Sequence, residues 1–335
     1  MHIVRFAIIL YNCIVNKTRH WFSHDLSGKD CNKYIHWTMF KFNFPDPYEN
    51  KDENAVKHLN VEDVDSSDRE IEWFTAHEMF PLQVHIEENI RFHMFTCGKY
   101  EIKHMPFQEG IKQLSNISEK EEISEAEILH SDLLPAKYEG GLKVWECTRD
   151  LADYLLQNNI YFSGMKVLDL GCGVGLLGIL AMYLKAESVH FQDYNSSVIS
   201  AVTMPNVLKN KSKLEQDGIL QTNRFFAGDW KSFVDLVKGE SSAKENNYDI
   251  ILTSETIYNP ANQSKLLRVF KECLKPGGVI YLAAKTHYFG VGGGTRQFEN
   301  MLAEDDIFHS QVCWKCSEGV QREILKINFH QRTTD

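Results

Sequence analysis

The sequence lacks an apolar stretch long enough to cross a bilayer as a helix, which takes about 20 residues. The apolar run from Ile3 to Val15 falls short and carries Arg5, and the bulky His20-Trp21-Phe22-Ser23-His24 follows where a leader would show small residues at a cleavage site. Neither secretion nor membrane insertion is expected. Positive charge is also scarce: 36 Lys and Arg stand against 46 Asp and Glu, for a net charge of −10. Holding nucleic acid by phosphate neutralisation needs the opposite balance on one face, so direct nucleic-acid binding is not expected. An acidic surface suits a small-molecule site or a basic protein partner better. The 8 cysteines, scattered from Cys13 to Cys316, form no disulfide framework, and the thiols read as reduced in an intracellular protein. Cys313 and Cys316 have the spacing of half a zinc site, but no second pair completes it and no metal is expected. Internal repeats and low-complexity tracts are absent.

What is present suits a folded, soluble chain with a sizeable core: 43% hydrophobic and 24% charged residues over 335 positions. Residues 50–70 are polar and acidic and read as a solvated arm, and residues 71–130 mix short apolar runs with charge clusters and carry no assignable fold. From about residue 131 short β-branched runs alternate with helix-period segments, the signature of a parallel sheet with helices on both faces. Strands are expected at 166–170, 188–193, 224–226, 248–253, 279–284, 307–312 and 323–329, the last two paired antiparallel. Helices are expected at 148–158 behind a Thr148 cap, and at about 176–185, 196–208 and 263–274, the last stopped by Lys275-Pro276-Gly277-Gly278. The expected architecture is an α/β, Rossmann-like seven-stranded sheet over residues 131–335.

The first strand runs into a glycine loop, Asp169-Leu-Gly171-Cys-Gly173-Val-Gly175, where a backbone without Cβ atoms turns sharply and lets a ligand approach. Gly173-Val-Gly175-Leu-Leu-Gly178 also satisfies the dinucleotide pattern, so an NAD reading competes. The acidic Asp169 favours S-adenosylmethionine, because it would repel a pyrophosphate. Asp193, at the end of the second strand, is placed to accept hydrogen bonds from ribose hydroxyls of either ligand. Past the third strand, Gly228-Asp229-Trp230 offers a carboxylate for an adenine amino group and an aromatic face for stacking.

The loop, Gln192-Asp193-Tyr194-Asn195, Gly228-Asp229-Trp230 and Ser254-Glu255-Thr256-Ile257-Tyr258-Asn259 together give a sequence that resembles the eukaryotic histidine protein methyltransferase 1 homologs. Tyr138-Glu-Gly-Gly-Leu-Lys-Val-Trp-Glu-Cys-Thr148, Leu176-Leu-Gly-Ile179, Thr203-Met-Pro-Asn-Val207 and His287-Tyr-Phe-Gly-Val-Gly-Gly-Gly294 extend the likeness over about residues 131–330. The resemblance implies S-adenosyl-L-methionine as cofactor and a histidine side chain of a large-subunit ribosomal protein as acceptor. It also implies a cofactor site lined by Val144, Trp145, Glu146, Cys147, Thr148, the loop, Asp193, Tyr194, Asn195, Gly228 to Trp230 and Ser254. A monomer of the cytoplasm and nucleus, nucleolus included, is expected. Family members tend to open Met-x-Phe-x-Phe-Asn-Phe; the nearest pattern here is Met39 to Phe44. Residues 1–38 therefore read as an upstream extension or a mistaken start, and 39–130 as a variable, partly disordered region.

Methyl transfer from a sulfonium mainly requires alignment, and a histidine with a pKa of about 6.5 already offers a nitrogen lone pair at neutral pH. What remains is a group that fixes the tautomer and removes a proton. Glu255, directly after the fourth strand, is the candidate base, with Tyr258 and His287 as pocket walls. Gly292 to Gly294 form either a lid or a tight loop. A lysine methyltransferase of the same fold and a non-catalytic assembly factor that keeps the cofactor are the competing readings.

Overall fold

A computed structural model defines the fold and describes residues 73–81, 90–114, 133, 136–216, 222–239 and 247–330. The segments read from sequence as an extension (1–38) and an acidic arm (50–70) lie outside the described residues. Five parallel strands form the centre: β4 (Lys166–Leu170), β5 (Ser188–Asp193), β6 (Thr222–Ala227), β7 (Tyr248–Ser254) and β8 (Leu274–Lys285). Helices cover both faces, so these strands read as nearly continuous apolar runs; every residue of β5 is buried. Strand alternation sends Val167, Val189 and Ile250 into one core and Leu168, Phe226 and Ile251 into the other.

The sheet order is β1-β6-β5-β4-β7-β8-β10-β9, with β10 (Arg322–Phe329) antiparallel to both β8 and β9 (Phe308–Lys315). The seven expected strands are present and an eighth joins them. β1 (His77–Met79) pairs antiparallel with β6, and Glu78 grips the Arg224 guanidinium with two hydrogen bonds of 2.7 Å. A three-residue strand has no periodicity to read, which is why the sequence leaves it unassigned. The hairpin β2 (His93–Cys97) and β3 (Tyr100–His104) and the helix α1 (Phe107–Leu114) are also unassigned from sequence, although Phe107, Ile111 and Leu114 recur at helical spacing; Phe95, Ile102 and Leu114 from these elements and Met105 between β3 and α1 enter the core. Packed structure therefore begins upstream of residue 131.

The helix expected from Thr148 starts earlier: α2 spans Glu146–Gln157, has Trp145 at its N-cap, and makes no side-chain capping bond. Thr148 instead donates its hydroxyl to Ser254 Oγ at 3.1 Å, tying the helix to the end of β7. α3 (Leu176–Tyr183) follows the glycine loop. After β5, a short turn of helix at Ser196–Val198 passes through a π-helical segment, Ile199–Thr203, into α4 (Met204–Gln216). Pro205 lacks the amide that would close an ordinary turn there, and the wider turn carries Thr203 onto the glycine loop. α5 (Trp230–Gly239) and α7 (Thr295–Asp305) are further helices that the sequence reading left out. α6 (Pro260–Cys273) begins with Asn259 capping the Ala261 amide and Pro at its first position. β8 starts at once at Leu274 rather than at Val279: Tyr248 pairs with Leu274 and Ile250 with Val279, so the Pro-Gly-Gly segment bulges out of a continuous strand.

Phe270 is fully buried against Phe298 and Phe308, ring centroids 6.1 and 6.5 Å away. Phe270→Ala should cost about 3–5 kcal/mol in urea unfolding. Phe80→Ala, at a ring 64% exposed, should change stability by no more than about 0.5 kcal/mol.

Candidate functional site

β4 lies between β5 and β7, and the chain leaves its neighbours in opposite directions, which opens a crevice at the carboxyl ends of the strands. A cleft of about 810 Å³ occupies that place. Of the residues singled out from sequence, Val144, Trp145, Thr148, Gly171, Gly173, Asp193, Tyr194, Gly228, Asp229, Trp230, Ser254, Glu255 and Tyr258 line it. Five contiguous segments, distant in sequence, are thus brought together by the parallel topology.

Asp193 organises the floor. It is buried, with Oδ2 accepting the Gly173 amide at 2.8 Å and Oδ1 the Asn195 amide at 3.3 Å. A Cβ on Gly173 would sit 2.8 Å from the Gly141 carbonyl oxygen, so the loop and the 140–141 turn touch through bare backbone. Thr203 from the π segment donates to the Gly173 carbonyl at 2.6 Å. Asp169 does a different job from the one its position suggested: it is buried outside the cleft lining and accepts the Gly178 amide at 2.7 Å, pinning the first turn of α3. Burial pushes its carboxyl up to about 8.

Glu139 is a lining residue that the sequence reading missed as a ligand. Its carboxylate accepts the Ala136 amide at 3.0 Å, and burial together with Asp193 pushes its pKa up to about 7. Burial also raises Asp193 above the ordinary carboxylate range. The signal that could have found Glu139 is the acid-glycine-glycine run ahead of α2, which reads as an ordinary turn without the fold. Asn195 does not line the cleft; it accepts the Glu139 amide at 3.2 Å and donates to the Lys137 carbonyl at 2.6 Å, so it places Glu139.

At the Gly228 end, Tyr194 stacks on Phe74 at 5.2 Å and Trp73 meets it edge-on. Asp229 is not a bare acceptor: Lys265 donates to Oδ1 at 2.6 Å and the Lys231 amide to Oδ2 at 2.9 Å. Each oxygen keeps a second lone pair. The Trp230 indole donates to Gln192 at 2.9 Å, which fixes the ring at the cleft wall.

At the other end, Glu255 adopts φ of 60°, a left-handed conformation that costs a residue with a Cβ about 1 kcal/mol or more. Its amide donates to the Ala283 carbonyl at 2.9 Å, and its carboxyl accepts the Tyr288 hydroxyl at 2.5 Å. Burial raises the Glu255 carboxyl, while Lys285, Cys147 and Tyr288 pull it part of the way back. Tyr288 stands in the His287–Gly294 stretch but nothing in the sequence marks its role, and Lys285 stands in no motif; the return of β8 beside β7 brings both to Glu255. His287 is misplaced in the sequence reading. β8 ends at Lys285, Tyr288 turns inward to Glu255, and His287 faces outward with its ring edge-on to Phe289 at 4.7 Å. Glu146, Cys147 and Gly175 also stay out of the cleft lining: Cys147 is fully buried and Gly175 caps α3. The 292–294 glycines form a tight loop, since a Cβ on Gly293 would meet the Ile257 carbonyl oxygen at 2.1 Å and its amide donates to Tyr258.

A protein family described as lysine methyltransferase matches residues 135–302, half of the chain and nearly all of this cleft. The chain belongs to that family. Within this methyltransferase family it is similar to proteins named histidine protein methyltransferase 1 homolog. The one from Bos taurus is 43% identical over 228 residues (63% of this chain, 61% of that protein). The one from Mus musculus is 45% identical over 217 residues (60% and 59%), and that of Dictyostelium discoideum 46% over 199 (59% and 60%). The chain thus spans about three fifths of the length of these relatives.

Asp169 supplies a direct test of the site's electrostatics. Its folded pKa is raised above the unfolded value of 3.8, so its contribution to stability is full below that value and is lost as pH rises through about 8. Asp169→Asn removes this dependence. The variant should therefore gain stability relative to the native chain between pH 5 and 8, and a constant difference across that window would show that the carboxyl is not protonated in the folded state.

Proposed function

We propose that this methyltransferase is a protein-histidine N-methyltransferase that uses S-adenosyl-L-methionine and acts on a basic protein of the large ribosomal subunit. The observation that carries the reading is the coincidence of this cleft with 43% to 46% identity to relatives bearing the histidine name. Net charge of −10 supports a basic protein as acceptor rather than nucleic acid. The proposal includes work as a monomer in the cytoplasm and nucleus, nucleolus included.

The residues fit the cofactor. Asp193 and Glu139 offer carboxylates for a ribose, the Gly171–Gly173 turn presents bare backbone to the cleft because a Cβ there would strike Thr256 or the Gly141 carbonyl, and Gly228 to Trp230 frame the adenine end. When bound, S-adenosyl-L-methionine supplies an electrophilic methyl group whose bond to sulfur breaks as the bond to the acceptor nitrogen forms. Orientation does most of the remaining work, and it can be worth about 7–11 kcal/mol. Tyr258 walls the acceptor end, while Glu255 accepts the hydrogen of the second ring nitrogen and takes that proton once the ring is cationic. Its raised pKa brings the base nearer to neutral pH, where proton transfer is efficient.

The family's description favours a second reading, a lysine methyltransferase, which would have to deprotonate an ammonium of pKa about 10.4. Labelled S-adenosyl-L-methionine incubated with the protein and ribosomal proteins from cells lacking the activity separates the readings after hydrolysis. Methylhistidine is expected. Methyllysine would install the second reading, and cofactor binding with no label transferred would favour a non-catalytic assembly factor. Glu255→Gln should lower kcat by about 10²- to 10⁴-fold, the usual range for a positioned base, with unchanged affinity for S-adenosylhomocysteine.

Glu139 gives the cofactor end its own pH signature. A ribose hydroxyl donates to the ionised form, so affinity for S-adenosylhomocysteine should rise as pH passes up through about 7. Glu139→Gln should flatten that rise in calorimetric titrations, and an unchanged profile would place the ribose elsewhere.

A further inference from the structure

The two carboxylate oxygens of Glu255 have unlike surroundings. Oε2 accepts the Tyr288 hydroxyl at 2.5 Å, whereas Oε1 is buried and receives no hydroxyl or amide, the Cys147 thiol being the carboxyl's other polar neighbour. Glu255 lines the cleft, and Oε1, shut off from solvent, is the oxygen of its carboxyl that no hydroxyl or amide fills. Behind it stands the Lys285 ammonium, 3.9 Å from Oε1 and 3.8 Å from Glu146 Oε2, with the Lys285 and Glu255 side chains 8% and 7% exposed. The Lys285 ammonium also faces the rings of Trp145 and Tyr288, with centroids 5.6 and 5.7 Å away. Trp145 lines the cleft too, so a fixed positive charge lies just under the wall where an acceptor side chain would rest.

We propose that Lys285 selects the acceptor by charge: it leaves Glu255 able to take one N–H from a neutral imidazole and turns away a protonated amine. The inference rests on the reading of the cleft as a protein methyltransferase site. A neutral imidazole brings one donor, which Oε1 can satisfy, and no charge. An alkylammonium brings three donors to one unfilled acceptor and a second positive charge near the Lys285 ammonium, where solvent screens it poorly. Discrimination built on a repulsive partner, in addition to an attractive one, is a general route to specificity. A purely structural role for Lys285, holding the start of α2 through Glu146, would lower binding of both acceptors alike and leave their ratio untouched.

The test uses the full chain and two probes at pH 8, 4-methylimidazole and n-butylamine, followed through the indole N–H signal of Trp145. The native protein should bind 4-methylimidazole at least about tenfold more tightly than n-butylamine. Lys285→Met, or Lys285→Gln should the first variant fold poorly, should bring the two within about threefold, and Lys285→Arg should keep the preference because it keeps the charge. A neutral variant with the native ratio, or an Arg variant that loses it, overturns the selection by charge while leaving the histidine reading intact. A native protein that prefers n-butylamine, or whose Trp145 signal neither probe moves, overturns the histidine reading and this inference with it.

Discussion

At the heart of the cleft, the Gly173 amide donates to Asp193 Oδ2 at 2.8 Å, joining the glycine loop after β4 to the end of β5. The bond needs a buried carboxylate, and burying one is costly unless amides satisfy it; Asp193 takes a second amide from Asn195. It also needs a loop without Cβ atoms, because Gly173 lies against the Gly141 carbonyl. The rest of the cofactor end follows. Asn195, held at the same strand end, carries the 137–139 segment and with it Glu139, while Thr203 supports the loop from the opposite side. Parallel strands alone would place these groups near one another; the shared carboxylate fixes their spacing.

The acceptor end is built on strain rather than on amide pairing. Glu255 sits in a left-handed conformation just beyond β7, held by the hydrogen bond its N–H donates to the Ala283 carbonyl and by the Tyr288 hydroxyl from beyond β8. Two neighbouring parallel strands thus contribute Glu255, the proposed base, and the groups that shift its carboxyl, and the tight loop after β8 is fastened to Tyr258 through Gly293. The division suits the chemistry. One end pairs the carboxylates of Asp193 and Glu139, as the proposed ribose contacts require, and the other sets the Lys285 ammonium between the carboxylates of Glu255 and Glu146, where the proposal puts proton transfer and selection of the acceptor.

Much of this was legible from residues whose roles are local. Asp193, Gly171, Gly173 and Trp230 announce themselves because strand ends and glycine turns leave marks at fixed offsets. Glu139, Tyr288 and Lys285 do not: the first two stand in stretches that carry the resemblance without a mark of their roles, Lys285 stands in none, and the fold alone brings Glu139 to the cleft and the other two to Glu255. β1 is hidden for the same reason, since three residues at an edge carry no pattern. His287 stands outside because the hydroxyl of Tyr288 meets Glu255, and a glycine-rich loop gives no sign in sequence of which neighbour faces inward. Asp169 had the right address and a different task, since its bond to Gly178 turns it away from the ligand and into the base of α3.

A crystal structure of the full chain soaked with S-adenosylhomocysteine tests the arrangement most directly. The ribose hydroxyls are expected on Asp193 and Glu139, the adenine beside Gly228 to Trp230, and the sulfur facing the Glu255 end of the cleft. A ligand bound in the reverse sense, with its base toward Glu255, or one that leaves both Asp193 and Glu139 untouched, would contradict it.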